Sequence, residues 1–171
     1  MQFSADSPFE MAVGDTYLDM WEDPDVLQQS ASLKTLFDFW QRLRTGTALP
    51  ARADFLPEHL RPWLGLVSLA DVAHEPRRFR WRNIATGVTE RLGRDMSGRW
   101  FDEVYEGPTL ATFVAAYSLA VDRREPVGFG ARYRYLDKQH LSTRMLHLPL
   151  ASNGRDVDMI LIGNDYSGSG S

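Results

Sequence analysis

The chain has 171 residues, 43% hydrophobic, 12% aromatic and 25% charged, which is one globular domain's worth with room for an arm. It has no cysteine, which excludes disulfides, cysteine zinc sites, iron–sulfur ligation, a thiol nucleophile and any cysteine-linked chromophore. The net charge of −4 is uneven, because residues 1–31 carry seven acids and no base while the remainder carries 16 acids against 19 bases, 17 of them arginine.

Residues 1–31 read as an acidic arm, partly disordered or forming the start of an N-terminal helix. They lack the basic start and apolar middle of a signal peptide, and no apolar run approaches the ~18 residues of a membrane span, so the expectation is a cytoplasmic protein that does not engage a membrane. Asp23-Pro24 is a helix start, with Asp as N-cap and Pro at the first helical position. Leu33, Leu36, Phe37, Trp40 and Leu43 then form one stripe of helical period, with Phe39 off it, and Gly46 ends the helix. Pro50, Pro57 and Pro62 make 49–63 an extended crossing with one short helical turn near 57–60. Residues 32–63 are thus a helix and a proline-rich crossing, leading into a core over 64–164.

In the core, 64–72 and 78–84 form a hairpin, with Arg78, Arg80 and Arg82 alternating with Phe79 and Trp81. A short helix over 86–92 ending at Gly93, and a turn capped by Asp95 or Ser97 before Gly98, precede a long helix, 108–123, stopped by Glu125-Pro126. Three strands follow, 127–136, 141–150 and 156–163, the last two joined through Asn153-Gly154, a strong hairpin signal. Strands 64–72, 141–150 and 156–163 are apolar on both faces and belong in the centre of a sheet; the arginine-bearing 78–84 and 127–136 fit its edges. Two strands before a helical middle and three after it give an α+β fold with a five-stranded antiparallel sheet. Helices cover one face, and the amphipathic helix over 33–43 covers the other, against Val67, Leu69 and Met145. Phe39, with the acidic arm, extends that contact to a second subunit, giving a homodimer, the alternative being a monomer with the helix folded onto its own sheet. The closing S-G-S-G-S lies in a linker-like tail, 165–171.

Candidate chemistry is sparse. Asp102/Glu103 and Asp156/Asp158 sit at turns and edges and read as solvated charge. No G-x-S-x-G elbow is present, and Gly128 and Gly130 lie within a strand, where they mark a bend or the close approach of another backbone. Of the four histidines, His147 lies between apolar neighbours and reads as a half-buried, hydrogen-bonded side chain, with a buried switch or ligand as the sharper alternative. No pair has metal spacing, so no metal is expected. Phe113 and Tyr117 share a helix face, and Phe129, Tyr133 and Tyr135 share a strand face. With Trp81, Asn83 and Trp100 as neighbours, they describe either a small ligand pocket or a filled aromatic core. No basic stripe with base-stacking aromatics is present, so no nucleic-acid partner is expected.

The element order resembles a PAS sensor domain, and F-D-F-W-Q-R-L-R (37–44), L-P-A-R-A-D-F (49–55), F-R-W-R-N-I-A-T-G-V-T-E-R-L-G-R-D-M-S-G-R (79–99) and L-P-L-A-S-N-G-R-D-V-D-M-I-L (148–161) are similar to a small bacterial subfamily of single-domain PAS proteins. The resemblance spans about 33–163 and implies the spatial strand order 2-1-5-4-3, counting from 64–72. It also implies a non-catalytic sensory or regulatory module in signalling, as a homodimer. The alternatives are an interaction module with a solid core and, from a different class, an enzyme or carrier in which a curved sheet wraps the long helix. The missing cysteine excludes flavin–cysteine photochemistry, and helix 108–123 lacks the axial histidine of haem-binding relatives, which leaves any cofactor unknown. The chain contains no kinase, cyclase or DNA-binding segment, so its output runs through a separate signalling protein.

Overall fold

The computed structural model describes the backbone of residues 9–13, 16–92, 95–135 and 140–166, and side chains over 19–90, 95–132 and 142–166. The described residues form one antiparallel sheet of seven strands: β1 (Phe9–Val13), β2 (Thr16–Glu22), β3 (Val67–Ala73), β4 (Arg78–Asn83), β5 (Val127–Tyr135), β6 (His140–Leu150) and β7 (Met159–Asp165). Their spatial order is β1-β2-β5-β6-β7-β3-β4. Five helices accompany them: α1 (Val26–Gln29), α2 (Ala31–Leu43), α3 (Thr86–Leu92), α4 (Phe101–Val104) and α5 (Gly107–Arg123). The proline-rich crossing holds two 3₁₀ turns, Arg52–Asp54 and Pro57–Trp63.

The expected five strands become seven because the acidic arm is not a tail. β1 and β2 form a hairpin, and β2 pairs along β5 from Thr16↔Tyr135 to Glu22↔Phe129, so β5 is not an edge. Asp19 lies opposite Arg132, and Glu22 pairs with Arg123, so arm acids meet arginines of the body. Met20 is 1% exposed, a core residue supplied by the arm. The two glycines of β5 admit these neighbours. At Gly128 a Cβ would lie 2.6 Å from the Asp23 carbonyl, and Asp23 N–H donates to Gly128 O at 2.9 Å. At Gly130 a Cβ would lie 2.5 Å from the Trp21 indole.

The amphipathic helix also starts later than Asp23-Pro24 suggests. Asp23 accepts from Asp25 N at 3.0 Å in a turn, α1 is a single turn, and Ser30 interrupts the helix in an extended conformation. Ser30 Oγ caps α2 by accepting from Leu33 N at 3.1 Å and donates to the Asp165 carboxylate. Such a cap is worth ~1 kcal/mol. From it, α2 lies across β6 and β7. Leu33, Leu36 and Trp40 are completely buried, each contributing ~1.5–3 kcal/mol as an upper bound. A Cβ at Gly163 in β7 would sit 2.5 Å from Leu36, and Trp40 Nε1 donates to Pro149 O at 3.0 Å. Val67 and Leu69 share this outer face, since Val67 pairs with Gly163 and Leu69 with Leu161. Met145 does not: it pairs with Asn164 and faces the opposite layer, where α4 and α5 pack. Phe39 meets Phe55 at 5.4 Å and His59 at 5.1 Å between centroids and is half-buried. Phe37 and Leu43 are half-buried.

The strand expected from residue 64 begins at Val67, because Gly65 takes φ +78° in a turn and leaves Leu64 86% exposed. At the opposite edge of the sheet from β1, β4 is covered by the segment after Ser97. Gly98 N–H donates to Trp81 O, and Trp81 N–H to Arg99 O at 2.9 Å.

Candidate functional site

The inner layer is built around α5, whose Phe113 and Tyr117 face the sheet one turn apart. Pro108 sits in its first turn, where a missing N–H leaves no bond unmade. β4 supplies Phe79 and Trp81, α4 supplies Phe101, and Tyr105 follows α4 as its extended C-cap. The rings interlock. Phe101 lies 4.9 Å from Trp81, 5.0 Å from Tyr117 and 5.6 Å from Phe79 between centroids, and Tyr105 stacks on Phe113 at 4.2 Å. Trp81 Nε1 donates to Tyr105 Oη at 3.1 Å.

These rings leave a cavity of about 30 Å³, lined by Met20, Ser68, Trp81, Tyr105, Phe113 and Tyr117 together with residues of β6 and β7. A single water needs ~10–15 Å³ on this measure, so the space holds about two. Its polar lining is already engaged: Ser68 Oγ accepts from Ala85 N at 2.8 Å, and Asn164 Nδ2 donates to Leu66 O at 2.9 Å.

His147 lies behind this cavity. Its imidazole is 4.5 Å from the Tyr117 ring and 4.6 Å from Phe129, is fully buried, and neither nitrogen has a hydrogen-bond partner. Burial pushes its pKa down from 6.5 to about 3, so the ring is neutral at pH 7. The half-buried, hydrogen-bonded histidine expected from the sequence is therefore corrected. β6 is covered on both faces, and its inner neighbours at this point offer rings in place of polar atoms.

Of the residues expected to line a pocket, Trp81, Phe113 and Tyr117 converge on the cavity. Phe129 is in the same layer but packs on His147 and does not line it. Asn83 is on the outer face. Ala70 pairs with Trp81 but Leu69 with Asn83, so a bulge at Arg82 breaks the alternation and turns Asn83 away. Trp100 is outside too, beneath the guanidinium groups of Arg78 at 4.1 Å and Arg80 at 5.3 Å. The side chains of Tyr133 and Tyr135 lie outside the described residues. Tyr105, Phe101, Ser68 and Met20 were not singled out from the sequence. The Phe101/Tyr105 spacing was the available signal for two of them.

The carboxylates serve the surface. Arg78 donates to both oxygens of Asp102 at 2.7 and 2.8 Å, which holds the Asp102 carboxyl below its usual range. Glu103 is lowered mainly by the backbone N–H of Trp100, and Asp156 mainly by the Asn153 amide. Arg80 and Arg82 both bond Asp71. Among the described residues no cluster of three or more His, Asp or Glu could hold a metal ion, and no helix is long and apolar enough to cross a membrane.

No curated protein matches the chain. The family model described as PAS domain matches residues 28–163, from α1 through most of β7 and including every ring of the inner layer named above. With four-fifths of its length inside that match, the chain belongs to the PAS domain family, a family of sensory and signalling modules.

Proposed function

We propose that this PAS domain is a non-catalytic regulatory module with a solid aromatic core, acting through its surface on a separate signalling protein. The observation that carries the reading is the inner layer. Small-molecule sites enclose ~300–1,000 Å³, whereas the interlocked rings of β4, α4 and α5 leave about 30 Å³. The carboxylates engaged by Arg78, Arg80, Arg82 and Arg99 are tied into surface ion pairs and are poorly suited to general acid–base work. Native mass spectrometry of the purified full chain tests the reading. The expected mass is that of the bare polypeptide, 19.5 kDa or a multiple of it. A stoichiometric small-molecule adduct would overturn the solid core.

A second reading rests on His147. A fully buried imidazole with both nitrogens unpaired is destabilising, by ~1–3 kcal/mol for an unsatisfied polar group. A ligand that parted Tyr117 from Phe129 would find a donor and an acceptor there. This reading requires the Tyr117 and Phe129 rings to move. A metabolite thermal-shift screen in which a hit on the parent chain disappears in His147→Leu would favour it over the solid core.

A further inference from the structure

A second concave region lies on the surface, away from the ring-filled core. It is a cleft of about 610 Å³ between the exit of α2, the C-terminal end of α5 and the turn joining β6 to β7. Four arginines line it: Arg44, Arg123, Arg124 and Arg155. Arg123 is neutralised by Glu22, and the one acid in the lining, Glu125, also acts on Arg123. The other three come from three different elements and are under-partnered. The Arg44 guanidinium lies over the Trp40 ring at 5.0 Å, with only a 3.5 Å contact to Thr47 O, and its Nε is buried with no hydrogen-bond partner. Arg124 has no ion pair among the described residues; its charge reaches Asp156 only through space. Arg155 touches Asp156 at 3.4 Å, but Asn153 Nδ2 holds that carboxylate at 2.9 Å.

Arg124 adds an independent observation. It closes α5 at φ +54°, a left-handed conformation that a glycine adopts without strain. Favourable interaction with the helix's negative end explains a cation near this position. It does not explain a β-carbon at a left-handed site, nor the arrival of Arg44 from α2 and Arg155 from the β6–β7 turn. We propose that this cleft binds the phosphoryl group of a small phosphorylated molecule, held by Arg44, Arg124 and Arg155. Three guanidinium forks from three directions match the several oxygens of a phosphoryl group better than the two of a carboxylate. The lining contains no aromatic ring, so recognition rests on charge and on the polar Thr47 and Asn153, without base stacking.

The test uses inorganic pyrophosphate as probe on the full chain at constant ionic strength, read by isothermal titration calorimetry and by the arginine Nε–H signals in NMR. Saturable binding that moves the Arg44, Arg124 and Arg155 signals is expected. Arg44→Ala and Arg124→Gly should each weaken it at least tenfold, and Arg99→Ala, outside the cleft, should leave it unchanged. Arg124→Gly is the informative variant, because relief of the left-handed strain should keep its melting temperature at or above the parent's while binding is lost. No saturable shift, or undiminished binding in Arg124→Gly, would overturn the site. Tighter binding of citrate or of a hexaglutamate peptide than of pyrophosphate would overturn the phosphoryl assignment. Because the readout is confined to surface arginines, its failure leaves the core reading untouched, and a core adduct in mass spectrometry leaves this site untouched.

Discussion

On the outer face of the sheet, Leu33 and Leu36 rest against Gly163, and the Trp40 indole finds Pro149 O. On the inner face, a set of aromatic rings closes around a cavity of about 30 Å³ and leaves His147 with no partner for either nitrogen. Both faces are dry, and they are made dry differently. The outer one combines the aliphatic Leu33 and Leu36 with the Trp40 indole, a glycine removes the side chain that would hold α2 off, and the indole there is satisfied. The inner one tolerates an unsatisfied polar group. The satisfied indole lies where α2 docks, and the unsatisfied imidazole lies under α5.

The largest expected effect is on the outer face. Trp40→Ala removes a fully buried indole and should lower stability by about 3–5 kcal/mol in urea unfolding. A loss below about 0.5 kcal/mol, the range of surface changes, would show that α2 is peripheral to the fold. Gly163→Ala sharpens the same point, since its methyl would meet Leu36 at 2.5 Å and force α2 or Leu36 to shift. Overpacking of this kind should destabilise by about 1–3 kcal/mol. A neutral result would mean that the helix rides loosely over β7.

The smallest expected effect separates the inner face by pH. The folded His147 pKa of about 3 lies below 6.5, so the unfolded chain takes up a proton that the folded chain refuses. The contribution of this group to stability is flat above pH 6.5 and falls as pH drops from 6.5 toward 3. At pH 5.5 the loss is about 1.4 kcal/mol. Urea midpoints of the parent and of His147→Leu, compared at pH 7.5 and 5.5, isolate it: the gap between them should widen in favour of Leu at the lower pH. Parallel behaviour at both pH values would place the imidazole in contact with water.

The parts of the fold that were legible in the sequence are those where one physical signal dominated. Asn153-Gly154 lies in the turn between β6 and β7, with Gly154 at φ +79°. The doubly apolar runs became β3, β6 and β7, which lie side by side. The hairpin of β1 and β2 was obscured by charge: seven acids without a base look like a solvated tail, and Thr16-Tyr17-Leu18-Asp19-Met20-Trp21-Glu22 lacks the strict alternation of a half-buried strand. The acids could be placed only once Arg123 and Arg132 were known to lie beside them. Candidate site residues failed where periodicity was locally broken. Asn83 follows Trp81 by two positions and should share its face, but one extra residue in β4 reverses it. Trp100 looked like a core ring and instead supports two arginines at the edge. The unpaired state of His147 and of Arg44 Nε depends on what three or more segments fail to offer, a property carried by no local pattern.

The pairing of β2 with β5 bears on where this protein begins as a folding unit. The family match starts at residue 28, yet β2 ends at Glu22 and contributes Met20 to the interior. A chain trimmed to the family boundary would lose the interior side chains of Met20 and Val26 and uncover seven residues of β5 as a bare hydrogen-bonding rim, the situation that drives strands of different molecules together. The recognisable unit and the self-sufficient unit are therefore not the same stretch of polypeptide. In this protein the segment outside the family match moves the edge of the sheet from the nine residues of β5 to the five of β1.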